Sequence, residues 1–142
     1  MVAGEGYVIG FDFGLKHLGI AVGQTVTGTA SGLSTLKARN GKPNWSEIDE
    51  LLVQYRPIAI VVGLPLNMDG SDSHISQRAS TFAQRIARHA HLPTYLADER
   101  LSSWAAKDDD VLTGDIHARS ACLIAETFLN DFSVCLPVKT KL

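Results

Sequence analysis

The sequence predicts an α/β domain in which helices cover both faces of a mixed, five-stranded β-sheet. Three observations favour this class: three short β-type segments open the chain, an apolar run typical of a buried strand follows, and amphipathic helical segments alternate with the later strands. The chain has 142 residues, 45% of them hydrophobic, which is enough for one hydrophobic core. Residues 1–142 are therefore expected to form a single domain, with a core at about 7–132 and a flexible tail at 133–142.

The first three strands are predicted at residues 7–13, 19–24 and 29–36. Their apolar and β-branched residues are separated by turns that contain glycine. Because the connections are short, these strands are expected to form an antiparallel meander. A polar turn at residues 38–43 ends this part of the sheet, and the later strands are expected to add in parallel.

The remaining elements alternate between helix and strand. Apolar residues at helical spacing predict a helix over residues 45–55 with Asn44 as its N-cap, and residues 73–90 repeat that pattern. Residues 57–64 have the sequence PIAIVVGL, a continuous apolar run that indicates a strand covered on both faces. A strand at residues 94–98, a helix from an N-cap at Ser102 to about residue 112 and a last helix at 117–132 complete the order.

Composition and charge exclude several classes of protein. The net charge of −2 provides no overall positive field, so nucleic-acid binding would need a local basic patch. No apolar run approaches the roughly 20 residues of a membrane span, and the first residues, MVAGEGYVIG, lack the plan of a signal peptide. Cys122 and Cys135 have no metal-ligand spacing and are interpreted as reduced thiols. A cytoplasmic protein without a membrane partner is therefore expected.

Asp12 is the first candidate site residue. It lies in the sequence FDFGLKHLGIAVGQ, after apolar strand residues and shortly before Gly14. A carboxylate in an apolar strand is costly to bury unless something pairs with it, and Mg²⁺, which binds one or two carboxylates, would remove that cost. A turn-capping aspartate explains the local pattern equally well.

Two adjacent acids end the strand in the sequence TYLADERLSS. Neighbouring strand residues point to opposite faces, so only one of Asp98 and Glu99 can share a face with Asp12. Glu99 is interpreted as the ligand because its side chain reaches further, which leaves Asp98 to pair with Arg100 or to cap the turn. A surface acidic turn is the alternative interpretation.

His117, in the sequence GDIHARSACLIAE, borders the buried face of the last helix. Its imidazole could be a neutral metal ligand, a general base or a half-buried core residue. Asp115 is a competing candidate ligand, although its position before the helix also suits an N-cap.

Several polar and basic residues are candidates for nucleic-acid binding. In the sequence VVGLPLNMDGSDS, Asn67 and the helix start at Ser73 could present polar groups to a phosphate, unless the segment is only a turn-rich connection. The basic candidates are Lys16, Arg100 and Lys107 in or beside the acidic motifs, and Arg78, Arg85 and Arg88 on one helical face. Such cations give sequence-independent binding that weakens with salt, whereas most exposed arginines are merely solvated.

Three blocks of this sequence together resemble the signature blocks of the YqgF/RuvX family. The blocks are FDFGLKHLGIAVGQTVTGTA, IVVGLPLNMDG and DERLSS, in that order, and the resemblance extends from about residue 7 to residue 132. It implies an RNase H-like fold in which the aspartate of the first strand and an acid of the DER block bind metal, here Asp12 and Glu99. It also implies maturation of the 5′ end of pre-16S ribosomal RNA, and a relationship to Holliday-junction resolvases such as RuvC.

The sequence departs from that family at the last helix. Family members usually carry an aspartate in a DSxAA-like helix start, and counting back from Glu126 places His117 at that position. Imidazole suits Mn²⁺ better than Mg²⁺, so a divalent metal of either kind is the expected cofactor. The catalytic and metal-binding residues are predicted to be Asp12, Glu99 and His117, with Asp98 and Asp115 as substitutes.

The expected activity is metal-dependent phosphodiester hydrolysis in structured nucleic acid. The substrate would be branched DNA or pre-ribosomal RNA, the latter alone or within ribosomal precursor particles. With two divalent ions, Asp12 would bridge them, Glu99 would complete one site, and His117 or Asp115 would complete the other. The alternatives are a nucleic-acid-binding ribosome-assembly factor without catalysis, and a phosphotransferase of the actin and sugar-kinase superfamily, whose second domain 142 residues do not accommodate. A monomer or homodimer is expected, since resolvases act as dimers on four-way junctions.

Overall fold

The computed structural model of the chain describes residues 5–65, 69, 73–98, 116–132 and 135–138. Within these residues, seven strands form one sheet and three helices pack on it. The strands are β1 (Tyr7–Asp12), β2 (His17–Gln24), β3 (Thr29–Arg39), β4 (Lys42–Pro43), β5 (Ala59–Leu64), β6 (Thr94–Asp98) and β7 (Cys135–Pro137). The helices are α1 (Trp45–Tyr55), α2 (His74–Ala90) and α3 (Ile116–Asn130). The helix predicted at residues 102–112 lies outside the described residues.

The strands are arranged in the order β4-β3-β2-β1-β5-β6-β7. β1, β2 and β3 form the predicted antiparallel meander, whereas β5 pairs in parallel with β1, and β6 in parallel with β5. The predicted mixed sheet is confirmed, but the predicted number of five strands is wrong, because β4 and β7 extend the two edges. With two and three residues, they are too short for their sequences to show strand alternation. β7 lies within residues 133–142, where the sequence predicts a flexible tail, and the three residues of β7 pair with β6.

A tight hairpin at Asn40 and Gly41 joins β3 to β4. Both residues have positive φ, of 51° and 79°, the conformation of a two-residue type I′ turn that Asn-Gly favours. Arg39 pairs with Lys42 across this turn, so β3 continues past its predicted end. The polar turn expected at residues 38–43 is therefore part of a hairpin.

Each face of the sheet has its own hydrophobic core. α1 and α2 cover one face, and α3 covers the other; these are called the α2 face and the α3 face below. β1 shows the division, since Ile9 and Phe11 pack into the core under α2 while Val8 packs against α3. The prediction of helices on both faces is confirmed. Within the described residues, no helix is both long and apolar enough to span a lipid bilayer.

Capping contacts confirm the predicted starts of α1 and α2. The Asn44 side-chain oxygen accepts a hydrogen bond from the Ser46 backbone N–H at 3.1 Å. Ser73 and Ser76 form a capping box, in which each hydroxyl accepts a hydrogen bond from the other's backbone N–H, at 2.9 and 2.7 Å. The Ser73 hydroxyl also donates to the Pro65 carbonyl oxygen at 2.8 Å, which ties the start of α2 to the end of β5.

α3 approaches the first two strands closely because two strand positions lack a side chain. A Cβ at Gly10 would lie 2.9 Å from the Ala121 carbonyl oxygen, and one at Gly19 would overlap the carbonyl group of His117. Glycine at both positions therefore allows the α3 backbone to rest directly on β1 and β2. This approach sets the position of the first turn of α3 over the sheet.

Candidate active site

The candidate site lies at the edge of the sheet where three parallel strands end. β1, β5 and β6 run in the same direction and end at Asp12, Leu64 and Asp98. In open α/β sheets, ligand sites commonly lie just beyond the carboxyl ends of the strands. The structure thus brings the two predicted acidic segments to one edge of the sheet, with β5 between them.

Asp12 is half-buried and lies on the α3 face of this edge. It pairs with Gly19 across β1 and β2, and directly opposed residues of antiparallel strands project to the same face. Gly19 is the residue that the His117 backbone covers. The register therefore places the Asp12 side chain beside the first turn of α3, where His117 lies.

His117 is the second residue of α3, and its ring stacks on a second histidine. The ring centroid of His117 is 4.6 Å from that of His17, and the two planes are inclined by 15°. His17 begins β2, two residues before Gly19, so it shares the α3 face. Sequence reasoning missed His17: it lies within the block FDFGLKHLGIAVGQ, but nothing in that local pattern marks it as a site residue. Strand alternation from Gly19 would have found it once the pairing of β1 with β2 was known.

Strand alternation assigns a face to Asp98, the last residue of β6. Tyr95 packs on Phe128 of α3, with ring centroids 4.9 Å apart, and Ala97 belongs to the same core. Leu96 packs into the core on the α2 face. By alternation Asp98 shares the face of Leu96 and not that of Asp12.

The described part of this corner contributes one carboxylate and two imidazoles, from Asp12, His17 and His117. Carboxylate oxygens suit Mg²⁺ and Mn²⁺, and imidazole nitrogen suits transition metals. Among the described residues, no three His, Cys, Asp or Glu side chains are grouped so that they could hold a metal ion. Two further predicted ligands, Glu99 and Asp115, lie outside those residues.

The predicted phosphate-binding residues lie in different parts of the molecule. Lys16 is exposed in the turn that follows Asp12. Arg78 and Arg85 lie on α2, so the structure places them across the sheet from the Asp12 side chain. The Arg78 guanidinium donates a hydrogen bond to the Asn40 carbonyl oxygen at 2.6 Å. Asn67, Arg100 and Lys107 lie outside the described residues.

Comparison with known proteins relates the chain to one family. The family model of RuvX, described as Holliday junction resolvase, matches residues 6–131. A protein of Pseudomonas putida is 49% identical over 107 residues, which cover 75% of this chain and 76% of that protein. A protein of Glaesserella parasuis is 44% identical over 134 residues, covering 89% of this chain and 97% of that protein. Both relatives bear the provisional name pre-16S rRNA nuclease.

A solved structure shares the fold. RuvC from Thermus thermophilus, in complex with a Holliday junction substrate, is similar with a TM-score of 0.59 and 21% sequence identity. The similarity covers 92% of this chain and 98% of that one. At this level of identity the likeness concerns the fold alone, and it agrees with the RNase H-like fold that the sequence blocks imply.

Proposed function

This chain belongs to the RuvX family, and from that premise we propose that it is a metal-dependent nuclease that hydrolyses phosphodiester bonds in the maturation of the 5′ end of pre-16S ribosomal RNA. One observation carries the proposal: Asp12 lies at the carboxyl end of a strand and pairs with Gly19, on which the backbone of His117 rests. The names of the relatives support ribosomal RNA as the substrate. The site of action would be the cytoplasm, on structured pre-ribosomal RNA or the precursor particles that contain it.

Asp12, Glu99 and His117 are the residues that would hold a divalent ion, Mg²⁺ or Mn²⁺. The described donors fit such an ion because Asp12 offers carboxylate oxygens and His117 an imidazole nitrogen at one corner. Of the two substitutes, Asp115 precedes α3 in the chain, whereas Asp98 shares the α2 face and projects away from Asp12. A bound ion would supply the positive charge that makes water more acidic and stabilises the departing oxygen.

The chain's own residues would orient the groups around the scissile phosphate. The His117 backbone rests on Gly19 and its ring rests on His17, so both contacts limit the movement of the imidazole relative to Asp12. A side chain held in this way keeps its orientation without further loss of entropy when the substrate binds. Lys16 would pair with a phosphate near the site, with Asn67, Arg100 and Lys107 as further contacts.

The central test is the variant Asp12→Asn, which keeps the size of the side chain and removes its charge. Metal-dependent cleavage of an RNA containing the pre-16S 5′ end should fall by at least about 100-fold, the scale typical of removing one group that stabilises transition-state charge. EDTA should abolish cleavage by the unmodified protein. Glu50→Gln is the matched control, since Glu50 is an exposed carboxylate on α1, and it should cleave normally. Unchanged turnover by Asp12→Asn would refute the proposed site.

A four-way DNA junction is the second substrate for the same assay. The description of the RuvX family model as Holliday junction resolvase favours this candidate. Faster cleavage of the junction than of the RNA would assign a resolvase-like endonuclease, for which a homodimer is expected. RNA binding without metal-dependent cleavage of either substrate would instead identify an assembly factor that lacks catalysis.

A further inference from the structure

A basic groove lies on the α2 face, across the sheet from the Asp12 side chain. It is shallow and open to solvent, and it is lined by Trp45 at the start of α1 and by Arg85, Arg88 and His89 on α2. A smaller cavity beside it, also lined by Trp45 and Arg85, includes Arg78. We call this surface, from Arg78 to His89 with Trp45, the α2 groove.

Trp45 is held firmly in the α2 groove. Its ring packs on Phe82, with centroids 5.9 Å apart and planes inclined by 27°, and also contacts the His89 ring at 4.8 Å. The His89 Nε2 atom also contacts the Asp49 carboxylate of α1, and this contact links the two helices. The indole remains half-buried and lines the groove, so part of its surface is available in a fixed orientation.

The arginines give the α2 groove a positive charge. Within the described part of the chain, neither Arg85 nor Arg88 forms an ion pair with a carboxylate, and both are exposed. The hydrogen bond of Arg78 goes to a neutral carbonyl group, so its charge is also uncompensated there. With a rise of 1.5 Å per residue, the three arginines follow α2 over about 15 Å. Since the whole chain has a net charge of −2, this row is a local departure from the overall charge.

We propose that the α2 groove binds a single-stranded segment of nucleic acid, with a base on Trp45 and phosphates on the arginines. Proteins that bind single strands combine a fixed aromatic ring with a row of cations. An unpaired base stacks on the ring, and the phosphate backbone follows the positive charges. A duplex would keep its bases stacked on each other, and an acidic peptide would leave the indole unused. The α2 groove lies on the other face from Asp12, so binding does not depend on a metal ion or on the proposed nuclease activity.

The test measures binding of a labelled 12-nucleotide oligouridylate in EDTA, by fluorescence anisotropy over a range of salt concentrations. Three phosphate contacts predict a slope of log affinity against log salt of about −2. The double variant Arg85→Ala/Arg88→Ala should lose about ten-fold in affinity, and its slope should be shallower by about 1.4. Arg56→Asn is the matched control: Arg56 is exposed, and asparagine tolerates its positive φ of 45°, so binding should be unchanged.

A second measurement reports on stacking. The chain has two tryptophans, so Trp104→Phe leaves Trp45 as the only one, and the oligonucleotide should quench its fluorescence. Trp45→Leu keeps an apolar contact with Phe82 and should lower the affinity about ten-fold, within the range for loss of one base–aromatic stack. Thermal melting confirms that each variant is folded before binding is measured.

Three outcomes would overturn the proposal. The first is that the double arginine variant binds the oligouridylate as tightly as the unmodified protein does. The second is that duplex RNA binds as tightly as the oligouridylate. The third is that a polyglutamate peptide binds as tightly as the oligouridylate without quenching the Trp45 fluorescence, which would indicate an acidic-peptide site. Asp12→Asn separates this proposal from the proposed function. This variant should bind the oligonucleotide normally even if it no longer cleaves the pre-16S RNA. If Asp12→Asn cleaved normally while the double arginine variant lost binding, the proposed active site would be refuted and the α2 groove would still be supported.

Discussion

Gly19→Ala directly perturbs the contact that positions the candidate active site. Gly19 pairs with Asp12, and an added Cβ would overlap the His117 carbonyl group and lie 3.1 Å from the Ala118 nitrogen. Both groups belong to the helix backbone, so they cannot rotate away as the end of a side chain can. To restore ordinary van der Waals contact, α3 would have to withdraw from β2 by about 1 Å.

The expected cost follows from this overlap. Overpacking a core position costs about 1–3 kcal/mol, and contact with helix backbone favours the upper part of that range. We therefore expect the free energy of unfolding to fall by about 2–3 kcal/mol and the Tm by roughly 6–12 °C. The shift also moves His117 relative to Asp12, and a misplacement of about 1 Å can lower a catalytic rate about 100-fold.

Gly23→Ala is the matched control for this variant. Gly23 lies in the same strand and on the same face, but its added Cβ would meet the Leu129 Cδ1 methyl group at 2.7 Å, which can move by a change of rotamer. Urea unfolding followed by circular dichroism gives the free energies, and cleavage assays at a temperature where both variants are folded give the rates. If Gly19→Ala were as stable and as active as Gly23→Ala, the close approach of α3 to β2 would be refuted.

Two further predictions concern stability. Ser73→Ala removes the hydroxyl that accepts a hydrogen bond from the Ser76 N–H and donates one to the Pro65 carbonyl group. The free energy of unfolding in urea should fall by about 1–2 kcal/mol, and Ser73→Thr should recover most of it. An unchanged urea midpoint in Ser73→Ala would show that this cap is not needed. Burial raises the pKa of the Cys122 and Cys135 thiols from 9.0 to about 11. The unfolded chain then ionises first as the pH rises, so the free energy of unfolding should be constant below about pH 9 and fall between about pH 9 and 11. Replacing both cysteines by alanine should flatten this fall in urea titrations, and an equally steep fall in the double variant would contradict the assignment.

Most of the secondary structure could be predicted because its signals are local. Helical spacing of apolar residues and the caps at Asn44 and Ser73 depend on neighbours within one or two turns, and both helices begin where those signals predict. The short strands β4 and β7 show the limit of such reasoning. They are stabilised by pairing with the edges of β3 and β6, and nothing in two or three residues reports that pairing.

The candidate site divides in the same way. Asp12 could be named as a candidate from the sequence, because it ends an apolar strand and lies in a block that resembles the YqgF/RuvX family. His17 could not, because its stacking on His117 depends on strand register and on the docking of α3. The same holds for the surroundings of Arg85: the sequence predicts its face of the helix, but only the tertiary structure brings it beside Trp45 on the α2 face.

By itself, the sequence determined the order of the longer strands with α1 and α2, the starts of those two helices and the family. Their signals reside in residues that are close together in the chain. The tertiary structure decided which side chains share a face: Asp12 with His17 and His117, and Trp45 with the arginines of α2. The physical reason is that a face is chosen by strand register and by how closely a helix can approach. Here that approach depends on a glycine in β2 and a helix that lies almost at the other end of the chain.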